Sequence, residues 1–310
     1  MSSKKRTYIR LPDRLASTTG FFGNFFCILS MIKESQELDA EPYVDFKNTA
    51  FCEGYNPYED ENYPKNSSNP WDWWFEQSRL ESDQDLIIVP QEYSMSLDQS
   101  RSLHRRSDLE VLKKIFKDNF TIKEKIIQEA EDYYKRFFEG RKILGVMARG
   151  AEKNYFEPQY GLHSTQLWID ETKRILRKKK DVDRIFLVTE EESTVEQFKR
   201  HFPDILFLDV FRRTNQDDEF IKNFPLWPCL DNSRHNHKKR LGEECIIQAI
   251  LLSRCNYLLG KQCGTISAAV LFSNKIDEIY FSDTNPLLNK NLNLFSKLKI
   301  FLKRKVLRIF

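Results

Sequence analysis

Apolar and polar positions alternate most regularly in the second half of the chain. Compact apolar runs at residues 143–148, 185–189, 205–210, 256–260 and 276–281 are separated by stretches at 164–177, 193–201, 243–254 and 265–272 with helical apolar spacing. The runs have the length and aliphatic content of buried strands. Ser193-x-x-Glu196 has the form of a capping box at a helix start. Such alternation predicts a doubly wound, Rossmann-like parallel sheet, which binds ligands beyond the carboxyl ends of its strands. A polar stretch over 211–242 interrupts the pattern and is expected to be a loop, whose Arg212, Arg213, His235 and His237 could cover an acceptor.

The first half predicts a strand at 7–11, a glycine turn at 18–24, a helix from Phe25 to about Lys33 and a strand at 42–46, the opening of another wound α/β lobe. Residues 47–85 are polar but carry Trp71, Trp73, Trp74 and Phe75, so an ordered insertion is expected there and not a linker. A buried strand at 86–89 and two helices follow. The second helix is marked by Thr121-Ile-Lys-Glu124 as a capping box, apolar side chains at 122, 126, 127, 133, 134 and 137, and Gly140 at its stop. The expected organisation is an N-terminal α/β lobe over 1–140, a Rossmann-like lobe over 141–285 and a tail over 286–310, with the active site in the cleft between the lobes.

Composition narrows the partners. An apolar fraction of 40% with 31% charged residues is that of a soluble globular chain, and no run reaches the roughly 18 apolar residues that span a bilayer. The basic start is followed by Pro12, Asp13 and Arg14 instead of an apolar segment, so no signal peptide is expected and the chain is placed in the cytoplasm. The six cysteines form no CxxC pair and are expected as free thiols. After Asp283 come seven Lys or Arg residues and no acidic one, so the net charge of +3 divides into a mildly acidic body and a basic tail. That division argues against a nucleic-acid groove. In the tail, Leu294, Phe295, Leu298, Phe301, Leu302 and Ile309 share one helical side. This is the pattern of a basic amphipathic helix lying on the anionic inner face of a membrane, or alternatively of a partner-binding or disordered tail.

The candidate chemistry follows the strand ends. Arg149 and Gly150 directly follow the run at 143–148, where an arginine fork could hold a diphosphate or cap a sheet edge. Just beyond, Glu157 and then Glu152 are the first carboxylates able to serve as a general base. Gly264, Thr265 and Ser267 open a helix after a strand, so their amides could bind phosphate. Glu244 and Gln248 could reach a base edge. Phe22, Gly23 and Asn24 lie in the first glycine turn as possible donor or acceptor contacts, and Trp74, with Trp71 and Trp73, either stacks on sugar rings or closes a core. Asp83-x-Asp85, Asp181-x-Asp183 and His235-x-His237 do not match a metal site, so no metal is expected.

Ile143-Leu-Gly-Val-Met-Ala-Arg-Gly-Ala-Glu-Lys153, followed by His163, resembles the arginine motif of the fucosyltransferase superfamily. That superfamily includes α-1,6-fucosyltransferases, nodulation fucosyltransferases and protein O-fucosyltransferases. Residues 185–191 and 242–260 are similar to its second and third blocks, and Gly20-Phe-Phe-Gly-Asn24 and Asn69-Pro-Trp-Asp-Trp-Trp-Phe-Glu76 to N-terminal landmarks of bacterial members. The resemblance spans 7–283. It implies a GT-B-like α/β fold of two Rossmann-like lobes and a GDP-sugar donor, commonly GDP-fucose. It also implies metal-independent, inverting transfer onto a glycan, with the donor arginine at Arg149; Gly150, His163, Glu244, Gln248, Gly264, Thr265 and Ser267 are the further candidates for the donor side. The chain departs from the family at Met147, Ala151-Glu152 and Gln248. A different nucleotide-sugar donor, or a glycan-binding protein without transfer, are the other readings.

Overall fold

A computed structural model describes residues 5–10, 20–34, 40–46, 69–77, 86–88, 106–149, 164–212, 234–261, 263–273 and 276–281. In chain order the elements are β1 (Lys5–Arg10), α1 (Phe21–Glu34), β2 (Ala40–Asp45), the single turn α2 (Trp71–Trp74), β3 (Phe75–Glu76), β4 (Leu86–Ile88), α3 (Arg106–Asn119), β5 (Thr121–Ile122) and α4 (Glu124–Phe137). There follow β6 (Ile143–Met147), α5 (Thr165–Lys178), β7 (Arg184–Val188), α6 (Glu192–His201), α7 (His237–Ser253), β8 (Tyr257–Gly260), α8 (Gly264–Phe272) and β9 (Glu278–Phe281). The tail, Cys52, Cys229 and most of the aromatic insertion lie outside the described residues.

Two parallel sheets carry the fold, in the orders β2-β1-β4 and β7-β6-β8-β9. The second sheet shows why its strands read as continuous apolar runs. Leu144, Val146 and Ala148 pack on one face with Trp168 and Ile175 of α5 and Phe198 of α6, while Ile143 and Met147 face the opposite core with α7 and α8. Burial on both faces is the rule for parallel strands with helices on either side. Gly145 fits close packing, since a Cβ there would lie 2.8 Å from Leu258 and 2.9 Å from Cys255.

Several element boundaries differ from the sequence expectation. The helix expected from Phe25 begins at Phe21, so Phe22, Gly23 and Asn24 form its first turn and not a loop, with Asn24 N–H donating to Gly20 O at 3.1 Å. Thr121 does not cap α4, because it pairs in β5 with Glu76 of β3, leaving Lys123 as the cap residue. Likewise α6 begins at Glu192, ahead of Ser193, with Glu191 as its cap residue. By contrast, Ser164 caps α5 through its hydroxyl, which accepts from Leu167 N–H at 3.2 Å. The expected strand at 205–210 is reduced to one bridge, Leu206 beside Phe186 of β7. Gly140 stops the α4 region at φ +72°, as its position implied.

The largest departure is α7, which starts at His237 and therefore takes in two turns expected to be loop. Its polar start is held by a tertiary contact. Trp74 is fully buried, its indole lies on Gly242, and its Nε1–H donates to Lys239 O at 2.8 Å. Around it Phe25 is the hub of a ring cluster that includes Trp71, Phe75, Phe116 and Phe272. One hydrophobic core thus runs from α1 and the aromatic segment to α7 and α8. Among the described residues, no helix is long and apolar enough to cross a membrane.

A Cβ at position 242 would sit 2.2 Å from Trp74 Cε2, a contact that no rotamer change of a core indole relieves. Gly242→Ala is expected to lower unfolding stability by about 1–3 kcal/mol. The check is the urea midpoint at unchanged m-value.

Candidate functional site

Helices in this sheet run antiparallel to the strands, so the ends of β6, β7 and β8 lie with the starts of α5, α6, α7 and α8. Arg149 stands at that edge. Ala148 extends β6 through its N–H to Val188 O at 2.9 Å, and Trp168 Nε1–H donates to the Arg149 carbonyl at 3.3 Å, so the residue before the arginine and the arginine's own carbonyl are both held. Arg149 itself is half-buried, with its Nε enclosed. The register Val146–Leu259 carried two residues further sets Ala148 beside Lys261, at the start of the loop into α8.

Gly260 and Gly264 shape that loop. A Cβ on Gly260 would strike Ile266 at 2.7 Å, and one on Gly264 would strike Phe22 Cβ at 2.8 Å and approach Gly23 N at 3.5 Å. The second contact brings the start of α8 against the start of α1. Neither helix has an acidic residue in its first turn, and Cys263 provides no side-chain cap for α8. Helix starts concentrate unsatisfied N–H groups and partial positive charge, which suit an anion. Gly264 and Thr265 are half-buried there and Ser267 is buried, its N–H already used by Cys263 O at 3.0 Å.

The structure sorts the other expected site residues. Gly150, Glu152, Glu157 and His163 lie outside the described residues. Gly23 is half-buried, whereas Phe22 and Asn24 are buried against the core. Trp74 is a correction: a fully enclosed ring on Gly242 presents no face to a sugar. Gln248 is half-buried on α7. Cys27 is an inert core thiol, pushed up to about 11 by burial.

Glu244 is a second correction. Both its oxygens are engaged within the protein, by Arg234 Nη1 at 2.5 Å and Nη2 at 2.9 Å, with Phe211 N–H at 3.4 Å and Arg240 Nε at 3.6 Å. A carboxylate so occupied does not read a base edge. Arg234, His237, Arg240 and Glu243 are close to Glu244 in sequence, but the pattern of apolar and polar positions gave no sign of their burial or of the contacts with Phe211 and Glu129, which come from other segments. Arg234 Nε–H donates to His237 Nδ1 at 2.8 Å, and Arg240 forks onto Glu129 of α4 at 2.5 and 2.9 Å and reaches Glu243 at 3.2 Å. Arg212, 3.6 Å from Glu192, is lowered by burial, with Glu192 and Asp209 opposing.

No protein-family model matches the chain, and no curated protein matches its sequence. Solved structures do match in fold. "NodZ alpha-1,6-fucosyltransferase soaked with GDP-fucose" aligns over 87% of this chain and 93% of its own, at a TM-score of 0.54 and 17% identity. The chain has a fucosyltransferase fold. NodZ co-crystallised with GDP aligns at a TM-score of 0.51 and 17% identity over the same shares of both chains. Fucosyltransferase NodZ from Bradyrhizobium aligns at 0.52 and 16% over 87% of this chain and 94% of its own. The GT-B-like α/β class and the fucosyltransferase resemblance read from the sequence therefore hold at the level of fold.

Within this fucosyltransferase fold the Arg240–Glu129 fork ties α7 to α4, and Arg240 holds the Glu129 carboxyl below its ordinary range. A lowered folded-state pKa stabilises above the unfolded value and is lost as pH falls through the folded one. Glu129→Gln is thus expected to cost about 0.5–1 kcal/mol near neutral pH for this partly exposed pair. The gap to wild type should close as pH drops below about 4.3. Denaturant unfolding at a series of pH values measures it.

Proposed function

We propose that this protein is a glycosyltransferase that moves fucose from GDP-fucose onto a glycan acceptor in a single inverting displacement. The observation that carries the reading is the meeting of two helix starts free of acidic first-turn residues, α1 and α8, at the edge where Arg149 leaves β6. It is supported by the likeness in fold to NodZ, whose solved structures were soaked with GDP-fucose or co-crystallised with GDP. On this reading residues 1–140 form the acceptor lobe and residues 141–285 the donor lobe, with the reaction in the cleft between them.

The chemistry asked of the chain is electrostatic. The acceptor oxygen forms a bond to the anomeric carbon while the bond from that carbon to the β-phosphate oxygen breaks, and the electron pair leaves with GDP. Arg149 and the amides at Gly264 and Thr265 take up the charge that grows on the diphosphate, where such groups lower a barrier most. Gly150, His163 and Gln248 are assigned to the donor side. The acceptor hydroxyl gives its proton to a carboxylate, Glu157 first and Glu152 second. Gly23, the half-buried residue of the α1 turn, is assigned to the acceptor side. No metal is required in this scheme, so EDTA should leave transfer unchanged.

Arg149→Ala and Arg149→Lys should each lower transfer by about 10²–10³-fold, since a point charge does not replace the arginine fork. Circular dichroism should show both folded, and normal turnover by Arg149→Ala would remove the proposal. GDP at about 100 times its Kd should stabilise the wild type by about 2.7 kcal/mol, with UDP, ADP and CMP doing less. Preference for another nucleotide would replace the donor, and binding of GDP-fucose without turnover would favour a glycan-binding protein.

The tail over 286–310 is assigned to an anionic membrane surface at the cytoplasmic face, with a lipid-linked glycan as a fitting acceptor. Liposomes containing anionic lipid should co-sediment the intact chain and not one cut at Asn291. Equal binding of the two would refute anchoring by the tail.

A further inference from the structure

Among the described residues, Arg234, His237 and Glu244 form a tight group of ionisable side chains not used in that scheme. Glu244 and His237 are buried, at 4% and 3% exposure, and Arg234 spends three donor groups on them. Phe211 joins the same group. Its N–H donates to Glu244 Oε2, its ring stands edge-on to His237 at 4.7 Å between centroids, and the Arg234 guanidinium lies 5.5 Å from its centre. Phe211 and Arg234 flank residues 213–233 in sequence and are held together here. The group sits at the start of α7, on the strand-end edge that also bears Arg149.

One hydrogen bond in the group depends on protonation. Nδ1 of His237 accepts from Arg234 Nε–H, which requires a neutral imidazole carrying its proton on Nε2. A proton on Nδ1 would set two N–H donors and two cations face to face at 2.8 Å. Among the described residues, the charged groups of the surrounding network are Lys238, Arg240, Glu243 and Glu244 on α7, Asp209 and Arg212 on the preceding segment, Glu192 on α6 and Glu129 on α4. Arg234 is already committed to Glu244 through both Nη atoms, so a change of partner cannot restore the lost bond without breaking the fork.

We propose that Glu244, Arg234 and His237 form a proton-sensitive clamp that positions Phe211 and the first turn of α7 at the ligand edge, closed while His237 is neutral and released when it is protonated. Its effect on catalysis rests on the transferase reading above; the clamp itself does not. These are positioning residues, because none of them is assigned to the donor or the acceptor.

His237→Asn tests the clamp, since an asparagine oxygen can accept from Arg234 Nε–H but cannot take up a proton in this range. Between about pH 8 and about pH 5.5, the wild-type Tm should fall by about 2–4 °C more than that of His237→Asn. Identical falls would overturn the clamp. If the variant does not fold, nitrogen NMR of the wild-type imidazole decides: the Nε2–H tautomer at pH 8 is expected, and an Nδ1–H tautomer overturns the proposal. With GDP-fucose, the acid limb of the wild-type transfer profile should flatten in His237→Asn, and an unchanged limb would overturn the positioning role. Absence of transfer by the wild type at every pH would instead defeat the donor reading, leaving the Tm and tautomer measurements to decide the clamp.

Discussion

The indole of Trp74 lying on the backbone of Gly242 is the contact on which the two halves of the chain depend. It is made by a residue near the end of a polar insertion and a glycine within a helix far along the sequence. The approach leaves no room for a side chain at 242, and the Nε1 bond to Lys239 O sets how the indole meets the helix. Once α7 is seated there, Arg240 meets Glu129 on one side and Glu244 meets Arg234 and Phe211 on another. The placement of β8, which leaves the far end of α7 and runs back to the α8 start, follows from the same seating.

The first two turns of α7 show how burial can run against composition. His237 and Lys238, in a stretch that reads as solvated loop, are buried, as are Glu243 and Glu244 at the expected start of the helix. Burying charge is costly unless each group is paired and hydrogen-bonded, and here two arginines, Arg234 and Arg240, supply the partners of Glu244 and Glu243. Those arginines stabilise the helix start only after the chain has folded around it. The network therefore contributes specificity of arrangement as much as stability, and places a protonation-dependent bond at the ligand edge.

Close approach of backbone, not side-chain chemistry, assembles the anion-suited edge. Gly264 lets α8 touch Phe22 of α1, and Gly260 lets the strand turn sharply against Ile266. The result is two helix starts whose dipoles add to the charge of Arg149.

What the sequence determined by itself was the alternation of buried strands and amphipathic helices in the second half and the place of Arg149 at a strand end. Each depends on residues close together in the chain, on apolar runs long enough to be covered on both faces and on the residue that directly follows such a run. The expected caps at Thr121 and Ser193 failed because strand pairing with Glu76 and an earlier helix start took precedence over local side-chain bonds. Tertiary structure alone decided that Trp74 is core and not a sugar platform, that Glu244 is spent on Arg234, and that residues 237–242 are helix. The reason is the same in each case. Desolvation, pairing of buried charge and backbone contact are properties of groups that the folded chain brings together, from distant segments as with Trp74 and Gly242 or within one stretch as with Arg234 and Glu244, and no local spacing of polar and apolar residues encodes which partner a buried group will meet.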